Sequence, residues 1–183
     1  MSTSLSPPNK LSTRRLVLEP LTQTHAHESF SLWQDEALYR YIPLNAPTEV
    51  GALASRYTML AQGRSSSGKE RWLNWFLRDR VSQALIGFVE CTLFEDHSAQ
   101  LAYFVFSPYQ GRGFASEGCH AAMCELHARH DVHTVKAFID TRNEPSLALA
   151  RSLGFEVIER TTGADYFKGS PSDEFVLSRS MAA

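Results

Sequence analysis

The amino-acid sequence predicts an α+β domain, with helices laid on a mixed, largely antiparallel sheet. Three observations carry this. Short runs alternate apolar and polar residues or are apolar throughout, as strands covered on one or both faces are. Polar turns join consecutive runs, the connection that antiparallel neighbours need. A longer stretch, residues 115–130, repeats its apolar positions with the 3.6-residue period of an amphipathic helix. With 183 residues, 43% of them hydrophobic and 21% charged, the chain can bury a core without a disulfide or metal staple and is too apolar to be disordered.

Each element has its own justification. Residues 1–10 lack both a basic stretch and an apolar core, so they read as a flexible leader before a domain spanning 11–180. Leu16–Pro20 alternates as a strand does. Thr22 or Thr24 caps a helix carrying His27, Phe30, Ser31 and Trp33. Pro43 and Pro47 bracket a loop, after which Thr48 caps a second helix to about Gln62. Past the flexible turn at 63–69, Arg71–Asp79 and residues 84–94 and 99–106 are three strands, apolar enough to be covered on both faces. The helix at 115–130 buries Cys119, Ala122, Met123 and Leu126. A strand at 134–139 follows, then a helix capped by Asn143 and ended by Gly154. Residues 155–159 and 175–178 close the chain as two strands.

A net charge of −2 argues against a nucleic-acid partner, and no apolar run approaches the ~18 residues of a membrane span. Cys91, Cys119 and Cys124 form no disulfide framework and follow no export signal, so reduced thiols and a cytoplasmic location are expected. Neither Cys91 nor Cys119 stands beside an evident base, which disfavours a covalent relay. His120, Cys124 and His127 recur on one helix face, but no further ligand completes a tetrahedral set, and no metal is expected.

The chemistry concentrates in residues 103–117, YFVFSPYQGRGFASE. A strand runs into a glycine-rich turn, and the turn opens directly into a helix. Gly111 and Gly113 allow positive φ and close approach to the backbone. The free N–H groups and dipole of the helix start then face any ligand there, so phosphate can be held without a basic protein. A strand–helix turn with no ligand has the same composition. The nucleotide-triphosphate string G-x-x-x-x-G-K-[ST] is missing, and Gly111-Arg112-Gly113 lacks the third glycine of a dinucleotide fingerprint.

These residues resemble the GNAT superfamily of acetyl-CoA-dependent N-acetyltransferases. Its phosphate motif, Q/R-x-x-G-x-G/A, is matched by Gln110-Gly111-Arg112-Gly113-Phe114-Ala115. Ser116-Glu117, the opening Leu11, Thr13, Arg15, Leu16 and Leu18, and the later Asp140, Asn143, Ser146 and Leu153-Gly154-Phe155 are similar to the branch containing the ribosomal-protein N-terminal acetyltransferases. The resemblance runs from about Leu11 to Ser178. It implies a single-domain fold whose sheet splays at the cofactor site, with helices on both faces. It also implies that acetyl-CoA lays its pyrophosphate on the backbone of Gly111, Arg112, Gly113, Phe114 and Ala115, with Gln110 and Ser116 alongside. The pantetheine arm would pair with Phe104, Val105 and Phe106, the Phe104 N–H polarising the thioester carbonyl. Asn143 would hydrogen-bond the pantetheine. Ser146 would donate to the departing thiolate, although its place in a helix's first turn also suits capping.

The general base does not follow from the resemblance. Gln100 stands where some branches carry a glutamate, and an amide takes no proton at neutral pH. The residues themselves offer Glu90, a lone carboxylate in an apolar strand, which burial would convert to a base if it faces the cleft. His97, Tyr103 and a water relay stay open. For the acceptor, the family builds its pocket in the first half of the chain, where Trp33, Tyr39, Tyr41, Trp72, Asn74 and Trp75 are either pocket or core. Tyr41, Trp72 and Asn74 are the candidates, and alternation puts Trp72, Asn74 and Phe76 on one face. The expected activity is direct acetyl transfer to a primary amine, on a small molecule or a protein N-terminus, in a ternary complex formed by a monomer or homodimer. A catalytically silent acyl-CoA-binding module is the alternative.

Overall fold

Eight strands hydrogen-bond in the order β1-β2-β3-β4-β5-β6-β8-β7. They are β1 (Leu11–Ser12), β2 (Leu16–Pro20), β3 (Arg71–Asp79), β4 (Leu85–Leu93), β5 (Ser98–Val105), β6 (Thr134–Asp140), β7 (Glu156–Phe167) and β8 (Ser170–Ser180). Four α-helices accompany them: α1 (His25–Ser29), α2 (Val50–Leu60), α3 (Phe114–His130) and α4 (Glu144–Ser152). This computed structural model describes residues 8–181, so residues 1–7 of the expected leader lie outside it. No helix among the described residues is long and apolar enough to cross a membrane.

Strand alternation divides the interior into two cores. Leu73, Trp75 and Leu77 of β3 join Ile86, Val89 and Cys91 of β4 beneath Cys119, Met123 and Leu126 of α3 and Leu147 of α4. On the opposite face Phe76 and Phe88 pack with Trp33, Leu53 and Tyr57. Their rings meet at 5.0 Å between centroids for Phe76 and Phe88, and the Tyr57 hydroxyl accepts from Trp33 Nε1 at 2.7 Å. The expected α+β class, mixed sheet and two-sided helical cover are therefore present, and Trp33, Tyr39 and Trp75 are core residues.

Strands 71–79 and 16–20 have the limits expected from alternation, but helix starts differ. Thr24 makes no side-chain cap, and Thr22 instead places its hydroxyl 2.9 Å from His25 Nδ1. Ser29 returns its hydroxyl to His25 O at 2.8 Å, and the chain then continues as 3₁₀ turns at Leu32–Gln34 and Glu36–Tyr39. The N-cap of α2 is Glu49, without a side-chain bond. The largest difference is the C-terminal hairpin, where β7 and β8 continue through residues that alternation leaves unassigned. An edge strand exposed along nearly all its length has no buried face to impose a period, and two register irregularities break what pattern remains.

Between β5 and β6 the sheet opens. The pair runs parallel, in contrast to the other neighbours, and registers only Ser98 with Thr134, Ala99 with Val135 and Gln100 with Lys136. Beyond Gln100, β5 stays with β4 while β6 stays with β8. The strands diverge into a wedge, and α3, the crossover between them, begins at its mouth.

Candidate active site

A cavity of about 580 Å³ fills the wedge. Its wall includes Tyr103, Phe104 and Val105 of β5, the turn residues Gln110, Gly111 and Gly113, and Phe114, Ala115 and Ser116 of α3. Asn143 and Ser146 close the side formed by α4. One cavity thus collects most of the residues that the resemblance assigns to the donor.

Strand register decides which backbone groups look into it. Phe94 N bonds Ser98 O at one end of β5, and Phe106 N bonds Ile86 O at 3.0 Å at the other. In an antiparallel ladder every second residue between them directs its N–H to β4. Phe104 is one of these, so its N–H points away from the wedge, contrary to the expected role. The N–H groups of Tyr103 and Val105 face the opening instead. Phe106, expected beside the pantetheine, is 1% exposed and packs with Trp33 in the opposite core.

The turn is held open from both sides. Gly111 and Gly113 take φ of +70° and +75°. A Cβ at Gly111 would meet nothing within 4 Å, so conformation, not space, requires glycine there. Gln110 donates its side-chain amide to Val105 O at 2.8 Å, tying turn to strand. Arg15 reaches in from the N-terminal segment, donating to Arg112 O at 2.9 Å and lying 4.5 Å from the Phe114 ring centroid. Its other contacts are with Glu117, bonded by Arg15 Nε at 2.6 Å and by the Thr13 hydroxyl at 2.6 Å. Burial raises the Glu117 carboxyl, but the bonds from Thr13 and Arg15 outweigh it and hold the group below its ordinary range. Among the described residues nothing accepts from the N–H groups of Phe114, Ala115 and Ser116, which face the cavity at the positive end of α3.

At the start of α4, Asn143 Oδ1 accepts from Ser146 N at 3.3 Å, so Asn143 is the cap. The Ser146 hydroxyl has no hydrogen bond among the described residues and lines the cavity. Tyr103 donates its hydroxyl to Ser146 O at 3.4 Å, and burial pushes that phenol up to about 12.

Two carboxylates stand opposite each other where β6 meets β8. Asp140 accepts from Arg142 Nη2 at 2.6 Å and from the Ser172 hydroxyl at 2.6 Å, and the Arg142 bond above all holds it down to about 2. It anchors Arg142 and Ser172 at the end of β6. Glu174 lines the cavity, and burial, then Asp165 and Asp140, raise its carboxyl above the ordinary value. Sequence reasoning missed Glu174 because it lies in the hairpin that has no period.

The expected base, Glu90, sits elsewhere. It pairs in register with Asn74 and Ala102 on the sheet face under α2, outside the cavity wall. Burial raises its carboxyl while Arg56 opposes the shift. Asn74, 4% exposed with Nδ2 unbonded, shares that position. Trp72 donates to Glu70 at 3.2 Å and also lies outside the wall. Of the three expected acceptor residues only Tyr41 lines the cavity, with Leu38, Ile42 and Phe167. The tip of the β7–β8 hairpin meets this side, where Lys168 Nζ donates to Tyr39 O. Cys91 and Cys119 are buried thiols, both raised by burial, Cys119 to about 12.

A family model described as an acetyltransferase (GNAT) domain matches residues 15–156. The uncharacterized N-acetyltransferase YoaA of Bacillus subtilis (strain 168) is 24% identical over 170 residues, covering 92% of this chain and 94% of that protein. The ribosomal-protein-S5-alanine acetyltransferase of Vibrio fischeri superposes with a TM-score of 0.80 at 17% identity, over 94% of this chain and 96% of its own. The microcin C7 self immunity acetyltransferase MccE, solved with acetyl-CoA and AMP, gives 0.83 at 16% identity, over 98% and 100%. At these identities the solved structures share the fold.

Proposed function

The chain belongs to the GNAT acetyltransferases, and from that premise we propose that it moves the acetyl group of acetyl-CoA directly onto a primary amine held in the same cleft. The observation that carries this reading is the wedge. The β5 edge that no longer pairs with β6 and the free N–H groups of Phe114, Ala115 and Ser116 line one continuous cavity, as a long thioester ending in a pyrophosphate requires.

The roles follow from position. The N–H groups of Phe114, Ala115 and Ser116 take the pyrophosphate, and Asn143 keeps its amide Nδ2 for the pantetheine. The Tyr103 N–H stabilises the oxyanion formed when the amine nitrogen attacks the thioester carbon. Glu174 accepts the amine's proton, a task suited to a carboxylate whose pKa is raised. Glu174 passes the first proton of the ammonium to solvent, the C–N bond forms, and the nitrogen gives up its second proton to solvent through Glu174. The C–S bond breaks, and Ser146 donates its hydroxyl proton to the leaving sulfur before regaining one from solvent. Asp165 and Glu174 favour an acceptor that arrives as a cation, on a small molecule or a peptide N-terminus.

Heat denaturation with acetyl-CoA tests the donor site, and release of thiol with a panel of amines and N-terminal peptides tests the reaction. Acetyl-CoA should raise the melting temperature, and Gly113→Asp should remove the effect. Ser146→Ala should cut turnover by at least about tenfold while leaving acetyl-CoA stabilisation in place. No stabilisation at millimolar acetyl-CoA would overturn the assignment.

A further inference from the structure

At the closed end of the wedge, away from the acetyl-transfer cavity, three donor side chains meet. Ser98 and Thr134 are partners in the parallel ladder, so the residues before them, His97 and His133, stand side by side. His133 N bonds His97 O at 2.8 Å, and the two rings stack with centroids 5.1 Å apart and planes 13° from parallel. Asp131, the residue that ends α3, sits between them. Its Oδ2 lies 3.2 Å from His97 Nδ1, and its Oδ1 lies 2.9 Å from His133 Nε2. One donor atom from each residue falls within 4.8 Å of the others. The rings must turn out of their stack to aim both lone pairs at one ion, which their exposure permits, and ligand bonds of ~2.0–2.2 Å then come within reach.

We propose that His97, Asp131 and His133 bind a divalent transition-metal ion that ties the start of β5 to the start of β6. Two imidazoles and one carboxylate select zinc, cobalt, nickel or copper over magnesium and calcium, which take oxygen ligands. The side chains are 53%, 72% and 61% exposed, so water completes the coordination shell. The ion spans the β4–β5 turn, the end of α3 and the first residue before β6. It therefore crosslinks the rungs that hold the two halves of the sheet together. Acetyl transfer as assigned above uses none of these residues, so the two proposals stand or fall separately.

The test uses tag-free protein freed of metal with a chelator. Zinc or nickel ion at about a hundredfold excess over its dissociation constant should raise the melting temperature by roughly 5–10 °C, and magnesium should not. Asp131→Asn keeps a residue that tolerates the left-handed backbone at this position (φ 53°) and removes the carboxylate. It and His133→Gln should abolish the zinc shift while melting normally without metal. In the unmodified protein, cobalt ion should broaden the ring proton signals of His97 and His133 before those of the other histidines. No shift up to millimolar zinc overturns the site, as does a shift that survives both substitutions or broadening that begins at His120.

Discussion

Burial lifts two carboxylates in this chain, Glu90 and Glu174, and their positions separate them. Glu90 faces the underside of α2, whereas Glu174 opens onto the wedge beside Asp140 and Asp165. For Glu174 desolvation is the main cause of the shift, with the two neighbouring charges adding to it. A base must be ionised to act, so turnover should fall with acid through a pKa above the ordinary 4.5 of glutamate. Glu174→Gln should lower kcat by about a hundredfold and erase that limb of the pH profile, while Glu90→Gln leaves the limb in place. The turn that lines the cavity was readable because its residues are consecutive: Gln110, the two positive-φ glycines and the helix start follow one another in the sequence. Glu174 was not readable, since its role depends on β8 lying across from Asp140, a pairing that no spacing in the sequence encodes.

Among the elements, β4 leaves no room for a side chain at Gly87, where it faces β5. A Cβ there would lie 2.2 Å from Phe104 O and 3.1 Å from Val105 Cα, both backbone atoms that cannot step aside alone. Gly87→Ala should therefore force β5 off its ladder. The expected cost is about 3 kcal/mol, a melting temperature roughly 6–12 °C lower by calorimetry, with acetyl-CoA affinity falling because the displaced strand forms the wedge wall. Strand limits were legible at 16–20 because one buried face imposes alternation, and at 71–79 because the strand is buried through its middle and its apolar run ends at charged residues. Which alternate N–H faces the cleft was not, because a one-residue change in register exchanges Phe104 for Tyr103, and register comes from the partner strand. The same holds for His97 and His133, separated in sequence by all of β5 and α3 and brought together by parallel pairing.

Taken whole, the molecule closes its acceptor side with parts far apart in the chain. The Lys168 ammonium at the hairpin tip bonds the Tyr39 carbonyl in the 3₁₀ turn, joining β7–β8 to the first-half segment that carries Tyr41. Lys168→Met keeps the backbone demand at this position and removes the bond. The acceptor KM should rise several-fold while the acetyl-CoA KM stays unchanged, which steady-state kinetics with each substrate varied in turn would show. A net charge of −2 is compatible with the proposed donor site, because free N–H groups at a helix start can hold a phosphate without a basic surface. The three rungs at the closed end of the wedge also act as the fulcrum of a lever. Leu101–Val105, carried by its ladder to β4, extends roughly 16 Å beyond them at ~3.3 Å per residue, so a tilt of about 5° between the β1–β5 and β6–β8 parts of the sheet moves the far end by more than 1 Å. Displacements of that size cost a transfer reaction about a hundredfold in rate. In the proposed reaction, the packing of Ala99 and Val135, both buried and outside the cavity wall, would thereby bear on the aim at the thioester carbon.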